Sequence, residues 1–174
     1  MERKTSRAKE LTLAAVFAAL TAVGALISIP LPLNLVPLSL QTLFLYLSVL
    51  ILKDRAPLSQ AIYLMMGAVG LPVFARGMAG YAVLIGPTGG FLFGFLLASF
   101  ASGWLMRRAG GRGYADFAAV GLCMVVVFAL GWVWLAGWMG WNFWAALWAG
   151  VIPFLPGDLL KAAVAVGVAK KIRL

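Results

Sequence analysis

The chain has 174 residues, of which 64% are hydrophobic and only 11% are charged, and its mean hydropathy is +1.02. Soluble domains average about 25% charged residues, so this composition excludes an ordinary soluble protein and predicts an integral membrane protein. The net charge of +9 is not gathered into a basic patch interleaved with aromatics, which excludes nucleic acid, and zero histidines with five scattered acids exclude a catalytic metal site.

Six apolar segments, separated by short polar or glycine-rich stretches, predict an all-α bundle of six transmembrane helices. The chain accommodates six spans of ~20 residues with short loops and leaves no room for a separate soluble domain. We therefore predict one integral membrane domain over residues 1–174, with the first apolar run retained as a helix rather than removed as a signal peptide. The helices are expected at residues 11–29, 37–52, 58–74, 83–106, 117–138 and 143–169.

The basic residues predict how these helices are oriented. Lys and Arg concentrate in cytoplasmic loops, and twelve of the fourteen fall in segments that an even number of spans places on one side. Both termini are therefore expected in the cytoplasm, and the tryptophans around the loop between the fifth and sixth helices are expected at the outer interface. The twelve are Arg3, Lys4, Arg7, Lys9, Lys53, Arg55, Arg107, Arg108, Arg112, Lys170, Lys171 and Arg173, whereas Arg76 falls in an outer loop.

The sixth apolar segment contains two opposite charges, Asp158 and Lys161, which lie three residues apart and so share a helix face. Lys161 precedes Lys170 at the cytoplasmic end by about 13.5 Å of helix rise, which places it near the middle of the bilayer. Charges at that depth cost several kcal/mol and are candidates for a functional site. The alternative is an ion pair whose only role is to stabilise this helix.

Two prolines support the functional interpretation. Pro153 and Pro156 predict that the sixth helix breaks and restarts near Pro156, because proline disrupts a helix interior and suits a first turn. Asp158 would then lie in the first turn of the inner half, with free backbone N–H groups facing the same cavity. Broken helices at membrane depth are where transporters bind substrates. Such a site suits a small ligand that carries its own acid and its own N–H donors.

Other polar residues are weaker candidates for ligand contacts. Gln41 lies inside the second helix and needs a hydrogen-bond partner, either from another helix or from a ligand. The stretch GPTGG at residues 86–90 lacks the lysine of a phosphate-binding loop, so its glycines indicate a helix break or close helix approach, while Thr88 offers a hydroxyl. Tyr81, shortly before this stretch, is a further candidate contact. The one cysteine, Cys123, is interpreted as a packing residue.

Two stripes of alanine on the first helix allow another helix to approach closely. One stripe contains Ala14 and Ala18, and the other contains Ala15 and Ala19. Docking of a partner and internal packing both explain such stripes, and the spacing does not decide between them.

Taken together, four fragments resemble the BioY family, the biotin-specific substrate-binding (S) components of energy-coupling factor (ECF) transporters. The resemblance implies a six-helix protein of the cell membrane that captures biotin at the outer face, needs no cofactor and is not an enzyme. It implies import powered by a transmembrane coupling subunit and two ABC-type ATPases, with Asp158 and Lys161 as ligand contacts and an alanine stripe as the docking face. The fragments cover Thr21–Leu43, Gly67–Gly77, Ile85–Phe95 and Leu155–Lys161.

One loop departs from the family pattern, and two other functions stay open. Met78 stands where a small polar residue is expected, so Arg76 would have to meet the anionic end of the ligand instead. An S component for another small vitamin is one alternative. An autonomous secondary transporter that uses Asp158 and Lys161 as an ion relay is the other, although the chain is short and shows no internal repeat. An enzyme is disfavoured because the acids are too few for paired acid–base work.

Overall fold

The computed structural model describes residues 2–29, 36–109 and 114–172, with side chains from residue 7 onward, and these residues are mostly helical. Strands β1 (Ser28–Ile29) and β2 (Leu38–Ser39) pair antiparallel, and 3₁₀ turns cover Lys53–Arg55 and Ala75–Gly77. The described helices are α1 (Glu2–Leu26), α2 (Gln41–Leu52), α3 (Ala56–Ala68), α4 (Tyr81–Ile85), α5 (Gly89–Arg108), α6 (Ala115–Trp138), α7 (Phe143–Gly150) and α8 (Leu155–Ile172).

The first two helices differ from their predicted bounds where they meet. The helix predicted at residues 11–29 runs from Glu2 to Leu26, and the helix predicted from residue 37 begins at Gln41. Ile29 precedes Pro30, and a residue before proline favours an extended conformation, which explains why strand β1 replaces the last predicted turn. Pairing of β1 with β2 then brings the end of α1 beside the start of α2.

Two of the predicted helices are broken. The segment predicted at residues 83–106 consists of α4 and α5, which are separated at Gly86–Thr88, where the sequence indicated that a break was possible. The segment predicted at residues 143–169 consists of α7 and α8, which are bent by 48° across a short break. The chain therefore restarts a helix at Leu155, beside Pro156, as the prolines predict.

Three described helical segments, at residues 7–26, 89–108 and 115–138, are long and apolar enough to cross a membrane. The bent pair α7 and α8 makes a fourth if it forms one span. Helices α2 and α3 have 12 and 13 residues, fewer than the ~20 that a span requires. The described residues thus contain three or four candidate spans, and the count of six stays a prediction.

Helix α2 occupies the centre of the bundle, where it packs against α1, α3, α5, α6 and α8. Helices α5 and α6 pack closely because glycines on α5 leave room for α6. Gly90 faces the side chain of Trp134, and Gly94 faces the backbone of Val127. Residues of α2 therefore reach both α8 and the α5–α6 pair, which is the arrangement that creates the site described below.

Ion pairs gather several basic segments at one end of the bundle. Arg55 after α2 pairs with Glu10 of α1, and Arg107 at the end of α5 lies 3.8 Å from Asp54. Lys170 near the end of α8 lies over the Phe117 ring at the start of α6, at 5.2 Å. Exposed tryptophans lie at the other end of α6 and around α7. Arg112 and Arg173, and the side chains of Arg3 and Lys4, are outside the described residues.

The close contact between Gly67 of α3 and the buried ring of Phe74 generates a stability prediction. A methyl group at Gly67 would overlap the Phe74 ring, so Gly67→Ala should destabilise the protein by about 1–3 kcal/mol through overpacking. Gly121→Ala is the matched control, since a methyl group there meets no atom within 4 Å. Thermal melting in detergent should show a lower midpoint for Gly67→Ala only; equal midpoints would contradict this packing.

Candidate ligand-binding site

Asp158 and Lys161 owe their positions to the break between α7 and α8. Because α8 begins at Leu155, Asp158 lies in its first turn, where the helix macrodipole favours a negative charge. Lys161 follows one turn later on the same face. The sequence analysis expected free backbone N–H groups here. The backbone N–H of Asp158 is not free, because it donates to the Phe154 carbonyl at 2.9 Å. The dipole therefore acts on the site through the side chain of Asp158.

The Asp158 carboxylate is buried and hydrogen-bonded on both oxygens. Its Oδ1 accepts from the Lys161 ammonium at 2.6 Å and from the Thr42 hydroxyl at 2.9 Å. Its Oδ2 accepts from the Tyr46 hydroxyl at 3.1 Å. Lys161 also donates to Thr42 Oγ1 at 3.1 Å. The Asp158 side chain is 4% exposed and that of Lys161 is 11% exposed, so the ion pair is almost buried. Its other hydrogen-bond partners, Thr42 and Tyr46, belong to α2.

A cavity opens beside this pair, between α2, α5, α6 and α8. The walls are apolar apart from one polar end, at which Asp158 and Lys161 are joined by Ser39, Gln41 and Thr42. Aromatic and aliphatic side chains form the rest: Val36, Pro37, Phe91, Phe95, Val127, Phe128 and Phe154.

A second cavity shares lining residues with the first. Gln41 lines both cavities, and its amide donates to the Tyr63 hydroxyl and accepts from Ser39. Thr88, from the break between α4 and α5, lines the second cavity together with apolar residues. Besides Gln41, the shared wall consists of Val36, Pro37, Phe91 and Phe95. The two cavities are therefore adjacent, and their linings differ: the first includes Asp158 and Lys161, and the second includes Thr88.

Two candidate contacts lie outside these cavities. Arg76 occupies the 3₁₀ turn with φ of +63°, and its side chain is exposed. Its backbone N–H donates to the Ser28 hydroxyl at 3.2 Å. Its neighbours Ala75 and Met78 line the second cavity, so Arg76 borders the site without lining it. Tyr81 is 72% exposed and lines neither cavity. The structure therefore brings together Asp158, Lys161, Gln41 and Thr88 but leaves Tyr81 apart.

The two alanine stripes of α1 differ in burial. Ala14 and Ala18 are fully buried, on the side of α1 that packs against the bundle. Ala15 and Ala19 are exposed. In this structure the stripe of Ala15 and Ala19 is accessible, and the stripe of Ala14 and Ala18 is used for internal packing.

Sequence reasoning missed Thr42 and Tyr46, which hold Asp158 from α2. A threonine in a helix commonly bonds its own backbone, and a tyrosine in a membrane protein is commonly explained as an interface residue, so neither residue stands out alone. Their spacing of four residues places them on the α2 face toward α8, and that spacing is the one available signal. The described residues contain no cluster of His, Cys, Asp or Glu that could hold a metal ion.

Comparisons with known proteins agree on one family. A model described as the BioY family matches residues 1–174. A probable biotin transporter BioY of Pyrococcus horikoshii is 40% identical over 168 residues, which are 96% of this chain and 98% of that relative. The biotin transporter BioY of Thermotoga maritima is 40% identical over 167 residues, 95% and 96% of the two chains.

A solved structure shares the fold. The crystal structure of an S-component for biotin from an ECF-type ABC transporter superposes with a TM-score of 0.87 and 25% identity. The match covers 97% of this chain and 93% of that one. The mostly helical fold is therefore that of an ECF S component, as the resemblance in the sequence implied.

Proposed function

The chain belongs to the BioY family, and we propose that it is the biotin-binding substrate component of an ECF-type transporter. Relatives 40% identical over nearly its whole length are named biotin transporters, and the matching structure is an S-component for biotin. Membership of a transporter family, together with several apolar helices, places the protein in the cell membrane as a multi-pass protein. The family consists of transporter components and not of enzymes. Its role would be to capture biotin for import.

Biotin binding is supported within the molecule mainly by the donor and acceptor positions of Asp158 and Lys161 that have no hydrogen-bond partner among the described contacts. A carboxylate has about four acceptor positions and an ammonium three donors. Both positions on Asp158 Oδ1 and one on Oδ2 are used, which leaves one acceptor among the described contacts. Lys161 uses two N–H groups and keeps one. The pair therefore offers one acceptor and one donor at the wall of the cavity.

A urea group complements this pair. It carries an N–H that can donate to Asp158 and a neighbouring carbonyl that can accept from Lys161. A ligand carboxylate brings acceptors only and would place a second negative charge beside Asp158, which is unfavourable in a buried site. We therefore assign the ureido ring of biotin to the Asp158 end of the first cavity.

The remaining parts of biotin suit the rest of the site. The thiophane ring and the aliphatic chain would contact the shared wall at Phe91 and Phe95. The carboxylate would lie in the second cavity, where Thr88 offers a hydroxyl and Arg76 stands beside the lining residue Ala75. Met78 lines this cavity, so Arg76 would supply the polar contact that Met78 lacks. Tyr81 has no role in this arrangement.

The ECF context implies partners, and α1 offers a surface for one of them. We propose that the exposed stripe of Ala15 and Ala19 docks a transmembrane coupling subunit, which two ABC-type ATPases drive. Small residues let a second helix approach closely, and this stripe is not used for internal packing. Ala14 and Ala18 would instead hold α1 within the single domain of residues 1–174.

Six spans with both termini in the cytoplasm are the topology that we propose. The ion pairs Arg55–Glu10 and Arg107–Asp54 support it, because they join the N-terminal helix and two basic loops at one end. The short helices α2 and α3 would cross together with their flanking turns. Arg76 lies in the loop after α3, one helix away from the basic loop at Lys53–Arg55, and would lie outside.

The ligand contacts are tested first by removing each charge. Asp158→Asn should weaken biotin binding by at least about tenfold, since truncating one partner of a buried charge pair costs roughly 2–5 kcal/mol and 1.4 kcal/mol is tenfold. Lys161→Met should weaken binding similarly, and the double variant should not recover. Isothermal titration of purified variants measures this.

Asp116→Asn, at a second buried aspartate, is the control that keeps affinity. A folded double variant with near wild-type affinity would show that the pair is only structural.

The docking surface is tested by adding bulk to α1. Ala19→Trp should abolish assembly with the coupling subunit, because the indole prevents close helix approach, while biotin binding by the isolated chain persists. Co-purification and titration measure the two properties. Ala129→Trp, at an exposed alanine of α6, is the matched control and should assemble normally. Loss of biotin binding in step with assembly would mean that Ala19 supports the bundle itself.

The topology is tested by labelling introduced cysteines in a Cys123→Ala background. Arg76→Cys should react with an impermeant thiol reagent in intact cells, whereas Arg108→Cys should react only after permeabilisation, because basic loops stay in the cytoplasm. Both side chains are exposed, so access to reagent is matched. Labelling of the Arg108 site in intact cells would contradict the proposed orientation.

A further inference from the structure

Tyr46 lies behind Asp158, away from the cavities, and its hydroxyl donates to Asp158 Oδ2. Its side chain is fully buried and lines neither cavity. We infer that Tyr46 is a positioning residue, which keeps the Asp158 carboxylate turned so that it can accept a hydrogen bond from the ligand. This inference rests on the proposed function, because it concerns the affinity for biotin.

The need for such a residue follows from the closeness of the two charges. The Lys161 ammonium is 2.6 Å from Asp158 Oδ1, and both side chains start from the same face of α8. In an apolar interior the attraction between them is strong. A carboxylate free to rotate would bring both oxygens to the ammonium and use the acceptor and the donor that a ligand needs. Asp158 and Lys161 would then use their remaining acceptor and donor on each other, and neither would be available to bind a urea.

Two hydroxyls of α2 oppose that rotation. Thr42 and Tyr46 are one helical turn apart, so they reach the two carboxylate oxygens separately, at 2.9 Å on Oδ1 and 3.1 Å on Oδ2. The bond from Tyr46 holds Oδ2 away from Lys161, whose ammonium is satisfied by Oδ1 and by Thr42. The plane of the carboxylate is therefore set by α2 rather than by its partner on α8.

Thr42 lines the first cavity and can also touch the ligand, whereas Tyr46 cannot. Any effect of the Tyr46 hydroxyl on the ligand must therefore pass through Asp158. This separation makes Tyr46 the informative residue, because a direct contact and a positioning effect cannot be confused there.

Tyr46→Phe removes the hydroxyl and keeps the ring. Isothermal titration should show biotin binding weakened by about tenfold, since hydrogen bonds to charged groups are among the stronger ones. In the Asp158→Asn background the same change should have little further effect, because no carboxylate remains to be positioned. A role confined to packing would instead lower affinity equally in both backgrounds.

Tyr63→Phe is the matched control for this cycle. Tyr63 is also fully buried, but its hydroxyl bonds Gln41 and not the ion pair. Whatever its effect on affinity, that effect should be the same with Asp158 and with Asn at position 158. Coupling of Tyr63 to Asp158 as strong as that of Tyr46 would overturn the inference.

Four further outcomes bear on the inference. Folded Tyr46→Phe with wild-type affinity overturns the inference and leaves the proposed function standing. Wild-type protein that binds no biotin overturns both. If Tyr46→Phe does not fold, Asp158→Asn is compared with Asp158→Asn/Tyr46→Phe, in which no buried carboxylate loses a partner. Equal biotin affinities support the inference, and a further loss in the double variant overturns it.

Discussion

The arrangement of the bundle around the site depends on one buried charge. Asp158 is almost inaccessible in an interior built largely of apolar side chains, and a charge there costs several kcal/mol unless it is bonded. Its partners come from two elements: Lys161 from its own helix, and Thr42 and Tyr46 from α2. Satisfying the carboxylate therefore fixes α8 against α2. The break before α8 contributes as well, because it puts Asp158 in a first turn, where the helix dipole favours an anion.

The sequence was most informative where its residues were least expected. Asp158 and Lys161 could be identified without a structure because charges inside apolar segments are rare and expensive. Pro153 and Pro156 predicted the break in the last segment for an equally local reason, since proline cannot continue a helix interior. The membrane class and the charge distribution follow from composition. These inferences required no knowledge of which helix packs against which.

Packing decided what local rules could not. The hydrogen bond between Thr42 and Asp158 joins residues that are 116 positions apart, and the sequence around Thr42 does not indicate which residue it contacts. The adjacent alanine stripes of α1 are equivalent by spacing, and only the neighbouring helices make Ala18 internal and Ala19 external. The exposed position of Tyr81 likewise reflects how α4 lies on the bundle. Helix ends also shifted, because strand pairing and glycine conformation near Gly70, with φ of +102°, compete with helix continuation.

The same hydrogen bonds explain why this site suits capture rather than chemistry. A general acid or base must exchange a proton with its substrate, which requires a group free to change its protonation state. Here the carboxylate and the ammonium stabilise each other as charges, and α2 holds both. What remains is one donor and one acceptor at the wall of a mostly apolar cavity, where unpaired polar positions are unfavourable. A ligand that fills both removes that penalty and ties α2, α8 and the shared cavity wall together.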